Sequence, residues 1–330
     1  KTDYIKSNMH LNFNKLFIVL FLIYLKEGNS RVTFEYPSAI TLPNNNYFIV
    51  EKNGIYIYNK DFTFMRSYDF DTSEKINDLS ELSEILIRLQ NNYLICLIKS
   101  KIYFFDNTGN LLTKINNVIV DSSYTHPTIA PIYVKSNYYY FVLGYFIPTY
   151  KLKLIYYKID LQSFSLIKVD DATDNDFESY YYRHYDFRSK GLSCEYMLDD
   201  YAYEYYLLIC FLIIKDGDHD DLTQSFYQIS DSSIDWTGAY KMSYIETDDI
   251  KNGIQIKSVT SKNLRFAIIS VLFSTNNLKY YLFRFEWGNV DKFGKFYETG
   301  NTNFNCRASL YAMKLNYLEN NNNIVLSCIN

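Results

Sequence analysis

The stretch KIYFFDNTGNLLTKI, Lys101 to Ile115, decides the fold. It reads as an aromatic strand, a short polar turn built on Asp106, Asn107 and Gly109, and a second strand. The same arrangement stands earlier as IYIYNKDFTFMRSYDF, Ile55 to Phe70, roughly one propeller-blade length away. Working outward from these two hairpins, strand signals recur in sets of four. Set one runs SAITL (Ser38–Leu42), a strand to Lys52, GIYIY (Gly54–Tyr58) and a strand to Phe70. Set two runs Ser83–Leu89, a strand to Ile98, one to Asp106 and one to Ile115. Set three runs Thr128–Val134, then strands to Phe146, Asp160 and Val169. Set four runs Ser193–Leu198, then strands to Ile214, Ser230 and Met242. Set five runs Ile254–Val259, then strands to Phe273, Trp287 and Thr299. A sixth set offers SLYAMKL (Ser309–Leu315) and a strand to Ile329.

The sets begin roughly 45 to 65 residues apart, which is blade-sized. The second strand of each is the most apolar: YFIV, YLICLI, YYFVLGYF, LLICFLII, FAIISVLF and IVLSCI. A strand apolar at successive positions is buried on both faces, as an inner strand between neighbouring blades is. The third strands alternate more, which predicts one-sided burial toward a blade edge. The best helix signal is the short polar stretch Thr72 to Leu82.

The chain therefore resembles β-propellers generally, and its GIYIYNKD and IYFFDNTGNLL hairpins are similar to those of irregular secreted propellers. The resemblance spans about Val32 to Ile329, without the Trp-Asp dipeptide or the diglycine signature of particular propeller families. It implies an all-β propeller of about five to six four-stranded blades, the last incomplete. A β-sandwich pair or a β-rich solenoid is the alternative. The two-stranded sixth set implies an incomplete chain or an imperfectly closed ring, with Arg31 to Tyr36 able to supply one strand. The acidic, Tyr-rich insert Asp170 to Gly191, DDATDNDFESYYYRHYDFRSKG, is expected to be a long loop that carries binding.

Of the 330 residues 48% are hydrophobic and 21% charged, enough for a real core. The net charge of −4 and the pI near 5.7, with no cluster of Lys or Arg, exclude a nucleic-acid surface. The 35 Tyr and 24 Phe, beside Asn tracts, read first as AT-rich coding and second as a contact surface.

The N-terminus reads as an address. Residues 1–8 read as upstream translation. Residues 9–30, from Met9 through Lys15 and the apolar run Leu16 to Leu25, have the layout of a signal peptide cleaved after Gly28 or Ser30. Residues 31–330 form the propeller domain. The apolar run is too short to span a bilayer, and no other stretch offers a membrane span. The expected location is secreted or on the extracellular face of the plasma membrane.

Five cysteines, Cys96, Cys194, Cys210, Cys306 and Cys328, are then in an oxidising compartment. Antiparallel neighbours predict disulfides Cys194–Cys210 and Cys306–Cys328. Cys96, inside YLICLI, reads as a buried thiol acting as a small hydrophobe. That all five are packing residues is the other reading.

Chemistry-bearing motifs are sparse. In KDGDHDD, Asp216, Asp218 and Asp220 alternate like the oxygen ligands of a calcium loop. The Gly and Glu of an EF-hand are replaced by Asp221 and Tyr227, so a solvated turn competes with a Ca2+ site. No other cofactor is implied. Ser233 to Gly238 is similar to the Asp box of sialidase propellers, but its Gly comes one place late and the following Trp is missing, so it reads as a turn. His10, His126, His184 and His219 form no triad with a nucleophile elbow. The chain also contains no Asn-x-Ser/Thr sequon. The expected role is a secreted or cell-surface module that binds a protein or carbohydrate ligand. A glycoside-active propeller, which needs facing carboxylates at the channel mouth, and a structural matrix protein are the alternatives.

Overall fold

The computed structural model describes residues 38–77, 85–90, 92–121, 123–147, 152–173, 189–198, 206–216, 219–241, 256–261, 266–272, 278–284, 295–302, 314–318 and 323–327; beyond residue 241 it is the strand backbone that is described. Blade 1 comprises β1 (Ser38–Thr41), β2 (Tyr47–Glu51), β3 (Gly54–Tyr58) and β4 (Phe64–Asp69). Blade 2 comprises β5 (Ile85–Gln90), β6 (Tyr93–Ile98), β7 (Lys101–Asp106) and β8 (Leu111–Ile115). Blade 3 comprises β9 (Thr125–Lys135), β10 (Tyr138–Phe146), β11 (Leu152–Asp160) and β12 (Leu166–Thr173). Blade 4 comprises β13 (Ser189–Leu198), β14 (Tyr206–Asp216), β15 (His219–Ile229) and β16 (Ile234–Lys241). Blade 5 comprises β17 (Ile256–Ser261), β18 (Phe266–Leu272), β19 (Leu278–Arg284) and β20 (Lys295–Thr302), and a two-stranded sheet follows with β21 (Lys314–Leu318) and β22 (Asn323–Ser327).

Every sheet is antiparallel with its strands in chain order. The first strands lie side by side in sequence: β1 beside β5, then β9, β13, β17 and β21. Each sheet thus has its first strand innermost and its fourth outermost, the radial plan of a β-propeller. Among the described residues it has five full blades and a two-stranded sixth sheet.

The period of two along each strand divides every central sheet between two cores. In blade 2, Leu94, Cys96, Ile98, Tyr103 and Phe105 pack with blade 1 residues such as Phe48, Val50 and Ile57. Their strand neighbours Ile95, Leu97, Ile102 and Phe104 pack with Phe141, Leu143 and Tyr145 of blade 3. In blade 3, Tyr140, Val142, Leu154 and Tyr156 turn the other way, onto Cys194, Leu208, Cys210 and Tyr227 of blade 4. The doubly apolar second strands of blades 1 to 3 are buried as their sequence predicts, as are Leu208 to Cys210 and Leu212 of β14; β10 is buried from Tyr139 through Phe146.

The third strands of blades 1 and 2 are not one-sided, whereas β11 of blade 3 keeps partly open positions at Lys153, Tyr157, Lys158 and Asp160. Ile102 to Phe105 of β7 are all buried, and in β3 only Tyr56 is partly open. The exposed edge is the fourth strand, with Phe64, Met65, Tyr68 and Asp69 of β4 wholly or partly open, because that strand lies outside the third and covers it. Of the helix signal at Thr72 to Leu82, residues 72–74 form a turn and 75–77 are not helical, while 78–82 lie outside the described residues; no helix occurs among the described residues. Asp171 to Thr173 and Ser189 to Gly191 belong to β12 and β13, so the Asp170–Gly191 insert is strand at both ends. The sixth set's first strand is described at Lys314–Leu318, later than SLYAMKL. The N-terminal readings for residues 1–8 and 9–30, and the Arg31–Tyr36 strand, lie outside the described residues.

The hairpin between third and fourth strands repeats one device. A polar residue at the end of the third strand or immediately after it accepts hydrogen bonds from the turn's own amides. Asn59 accepts from Asp61 and Thr63, Asp106 from Thr108 and Asn110, Asp160 from Gln162 and Ser163, and Ser230 from Ser232 and Ser233. Short side-chain acceptors close turns in this way. Each turn in blades 1 to 3 also has one left-handed residue, Phe62, Gly109 or Phe164. At Gly109, with φ of 86°, an added Cβ would stand 2.6 Å from Ile57 Cδ1 in blade 1, so this turn is glycine for space as well as for backbone.

Candidate functional site

Four antiparallel strands per blade bring the end of each fourth strand and the start of the next first strand to the same face. That face, here the linker face, also holds the turns between second and third strands. The other connections lie on the opposite, turn face. The three longest connections between consecutive strands, 70–84, 174–188 and 242–255, all join strand ends on the linker face.

A cleft of about 550 Å3 opens there where the linker from blade 1 crosses onto blade 2, lined by Asp71, Ser73, Glu74, Lys99, Ser100, Lys101, Lys114, Asn116 and Asn117. The chain enters it through a tight turn after β4. The Asp71 amide donates to Glu74 Oε2 at 2.8 Å, and the Glu74 amide donates to the Asp71 carbonyl at 2.8 Å. This folds Glu74 inward until its side chain is 1% exposed. Lys101 Nζ, from the start of β7, donates to Glu74 Oε1 at 2.6 Å and to Ser73 Oγ at 3.3 Å. Lys114, from β8, reaches the same Glu74 oxygen and Asp71 Oδ2, the latter at 3.0 Å. Lys114 also stands over the Tyr103 ring, 5.3 Å from its centre, and Lys99 Nζ donates to the Lys75 carbonyl at 2.7 Å.

Burial opposes the Glu74 charge, but the Lys101 and Lys114 hydrogen bonds and the Asp71 amide outweigh it and hold its pKa at about 2. For Lys114, desolvation is outweighed by Glu74 and Asp71, which raise its pKa. The Tyr103 hydroxyl makes no hydrogen bond within normal geometry, and burial first, then the Glu74 carboxylate, pushes its pKa far up. The Glu74 carboxylate is therefore ionised throughout the neutral range. The cleft can present positive donors to an anion.

A related arrangement recurs one blade on. Asp121, in the next linker, accepts from Tyr145 Oη at 2.8 Å and pairs with Lys153 of β11 at 3.3 Å. In both places a linker carboxylate meets a lysine near the start of the following blade's third strand. At the axis, Arg88 of β5 pairs with Glu195 of β13 at 2.8 Å and donates from Nε to the Ile129 carbonyl of β9 at 3.2 Å. One guanidinium thereby ties three blades together.

Cys194 and Cys210 are directly opposed on β13 and β14 and joined as a disulfide, Cα–Cα 4.1 Å. Both are buried in the core shared with blade 3. Cys96 is fully buried as a reduced thiol between blades 1 and 2. Cys306 and Cys328 lie outside the described residues. So does Asp218, while the backbones of Asp216 and Asp220 fall in β14 and β15, where Asp216 pairs with His219 and Lys215 with Asp220. Among the described residues no group of three His, Cys, Asp or Glu is disposed to hold a metal. The segment similar to an Asp box is not a turn: Ile234 to Gly238 belong to β16, and Ser230 to Ser233 make the turn before it. Among the described residues, no helix is long and apolar enough to cross a membrane.

Sequence reasoning missed the Glu74 cluster and the axial pair. Asp71-Thr-Ser-Glu74 has the spacing of a capping box, the one signal that marked the former. The Arg88–Glu195 pair, separated by 107 positions, leaves no local signal.

No protein-family model matches the chain, and no curated protein matches it. Among solved structures, the complex of the fission yeast SREBP–SCAP binding domains is similar at 8% identity and a TM-score of 0.43, covering 92% of this chain and 92% of that one. Domains 1–2 of Drosophila Semaphorin 1a are similar at 7% identity and 0.40, covering 82% and 68%. The WD40 domain of SCAP from fission yeast is similar at 9% and 0.37, covering 88% and 79%. The fold assignment rests on the strand order and the shared cores described above.

Proposed function

We propose that this chain is a protein-interaction propeller of the secretory pathway that binds its partner with the linker face. The observation that carries this reading is that the end of β12 and the start of β13 lie on that face, and the sequence joining them contains Tyr180, Tyr181, Tyr182 and Tyr185 with Arg183 and Arg188. Tyr and Arg are the residue types that dominate protein–protein hot spots. The secretory location is supported by the buried Cys194–Cys210 disulfide, a bond that reducing compartments do not maintain, and by the apolar run Leu16 to Leu25. The test is photo-crosslinking on living cells with purified full chain carrying p-benzoylphenylalanine in place of Tyr181 or, on the turn face, of exposed Lys60. Discrete protein adducts from position 181 alone support the proposal. Equal adducts from both positions, or adducts abolished by stripping cell-surface glycans, overturn it.

A further inference from the structure

We propose that a bulge built into every outermost strand guards the rim of the propeller against strand pairing with a second copy of the chain. In all five full blades the register between third and fourth strands slips by one residue. The slips fall at Ile57/Tyr58, Phe104/Phe105, Tyr156/Tyr157, Phe226/Tyr227 and Leu282/Phe283. The extra residue always belongs to the fourth strand: Met65, Leu112, Val169, Thr237 or Tyr297. The second and third strands of the same five blades pair without a slip. The irregularity is thus constant at the strand that ends each sheet and absent from the middle of it. A bulge bends its strand, raises its twist and breaks the even row of N–H and C=O groups that an added strand would read.

These edges need such a guard. The fourth strands are five to eight residues long, enough for pairing, and none contains proline. Three of the four exposed large hydrophobics among the described residues, Phe64, Met65 and Ile167, stand on them. In β4 and β8 the basic side chains are turned to other tasks: Arg66 donates to Asn110 of the next blade, and Lys114 holds Glu74. A flat apolar edge of this kind is a template for association. A bulge that served only to twist the blade would, when removed, weaken the blade without making it adhesive, and this separates the two roles.

The test deletes Thr237 from the full chain. Trp236 already faces Tyr227 and Gly238 faces Phe226, so the deletion makes the ladder continuous and leaves every other pair in register. Thr237→Val is the control: it keeps the bulge and loses only the hydrogen bond that Thr237 Oγ1 donates to the Phe226 carbonyl at 3.1 Å. Sedimentation velocity over a concentration series reads self-association, and urea unfolding verifies that each variant is folded. The deletion is expected to lower the dissociation constant for self-association at least about tenfold, which one or two net backbone hydrogen bonds supply. Hydrogen exchange is expected to slow along Ile234–Lys241 in the associated form, and Thr237→Val is expected to sediment as wild type does. The proposal is overturned if the folded deletion variant sediments as wild type, if Thr237→Val associates equally, or if the β16 amides gain no protection. Deletion of Tyr297 is read in the same way, and failure of both deletion variants to fold also overturns the proposal, because the bulge is then a requirement of the blade itself.

Discussion

Replacing Glu74 by Gln tests whether the buried carboxylate stabilises the propeller, and the size of the effect follows from its titration. The folded carboxyl titrates at about 2 against an ordinary 4.5, which corresponds to about 3 kcal/mol at neutral pH. Lys101 and Lys114 keep 17% and 28% exposure and rehydrate when the carboxylate is removed, so the net loss expected is about 2 kcal/mol. The sign follows from the lowered pKa. The stabilisation is complete above the unfolded value of 4.5 and is lost as pH falls through the folded value near 2. Urea unfolding of wild type and Glu74→Gln is therefore expected to differ by about 2 kcal/mol near pH 7 and by less than half of that near pH 3. A gap of constant size across this range would refute the reasoning, because the variant would then differ through shape and not through charge. Equal stability at neutral pH would refute it more directly.

Three other outcomes are expected. The double substitution Cys194→Ala with Cys210→Ala, which opens a loop of sequence separation 16, lowers unfolding stability by about 3 kcal/mol in non-reducing urea titrations. Gly144→Ala puts a Cβ 2.8 Å from Leu154 Cδ2 and 2.9 Å from Thr128 Cγ2, both in the packed interior, and costs about 1–2 kcal/mol in the same assay once the chain-entropy gain of alanine is set against the overpacking. Arg88→Met leaves Glu195, 12% exposed, without its cation and costs about 3 kcal/mol, most of which Glu195→Leu added to it restores, as measured in a double-mutant cycle.

The blades were legible because two signals are local. Double-faced apolarity of the second strands, as in Tyr93 to Ile98, and the acceptor residue closing each outer hairpin, as at Asp106, are both written in a few consecutive residues. The Cys194–Cys210 disulfide was legible for a related reason, since neighbouring strands of one sheet bring those positions opposite each other. What stayed hidden is set by distant residues. The burial of Tyr103 and Phe105 depends on blade 1 lying against them, so the alternation of the third strand misleads about its outer cover. Arg88 and Glu195 come together only through the curvature of the ring, and Glu74 finds Lys101 and Lys114 only because a linker crosses onto the next blade. The Ile234–Gly238 segment carried two readings, the fourth strand of set four and an Asp-box-like turn; the ladder to β15 holds it extended, and its Asp, Thr and Gly only imitate a turn.

Neighbouring residues along β6 belong to different partnerships: Cys96 packs toward the sheet before it and Ile95 toward the sheet after it. Selection on packing therefore acts between blades rather than along a strand. In a family of homologues, adjacent positions of an inner strand would drift independently, while compensating exchanges would link positions in different sheets, such as Phe48 with Phe105 or Tyr93 with Tyr139, whose rings meet edge to face. A duplicated blade dropped into such a ring would arrive with two wrong neighbours, so the number of blades is expected to change far less readily than the length of the connections between them.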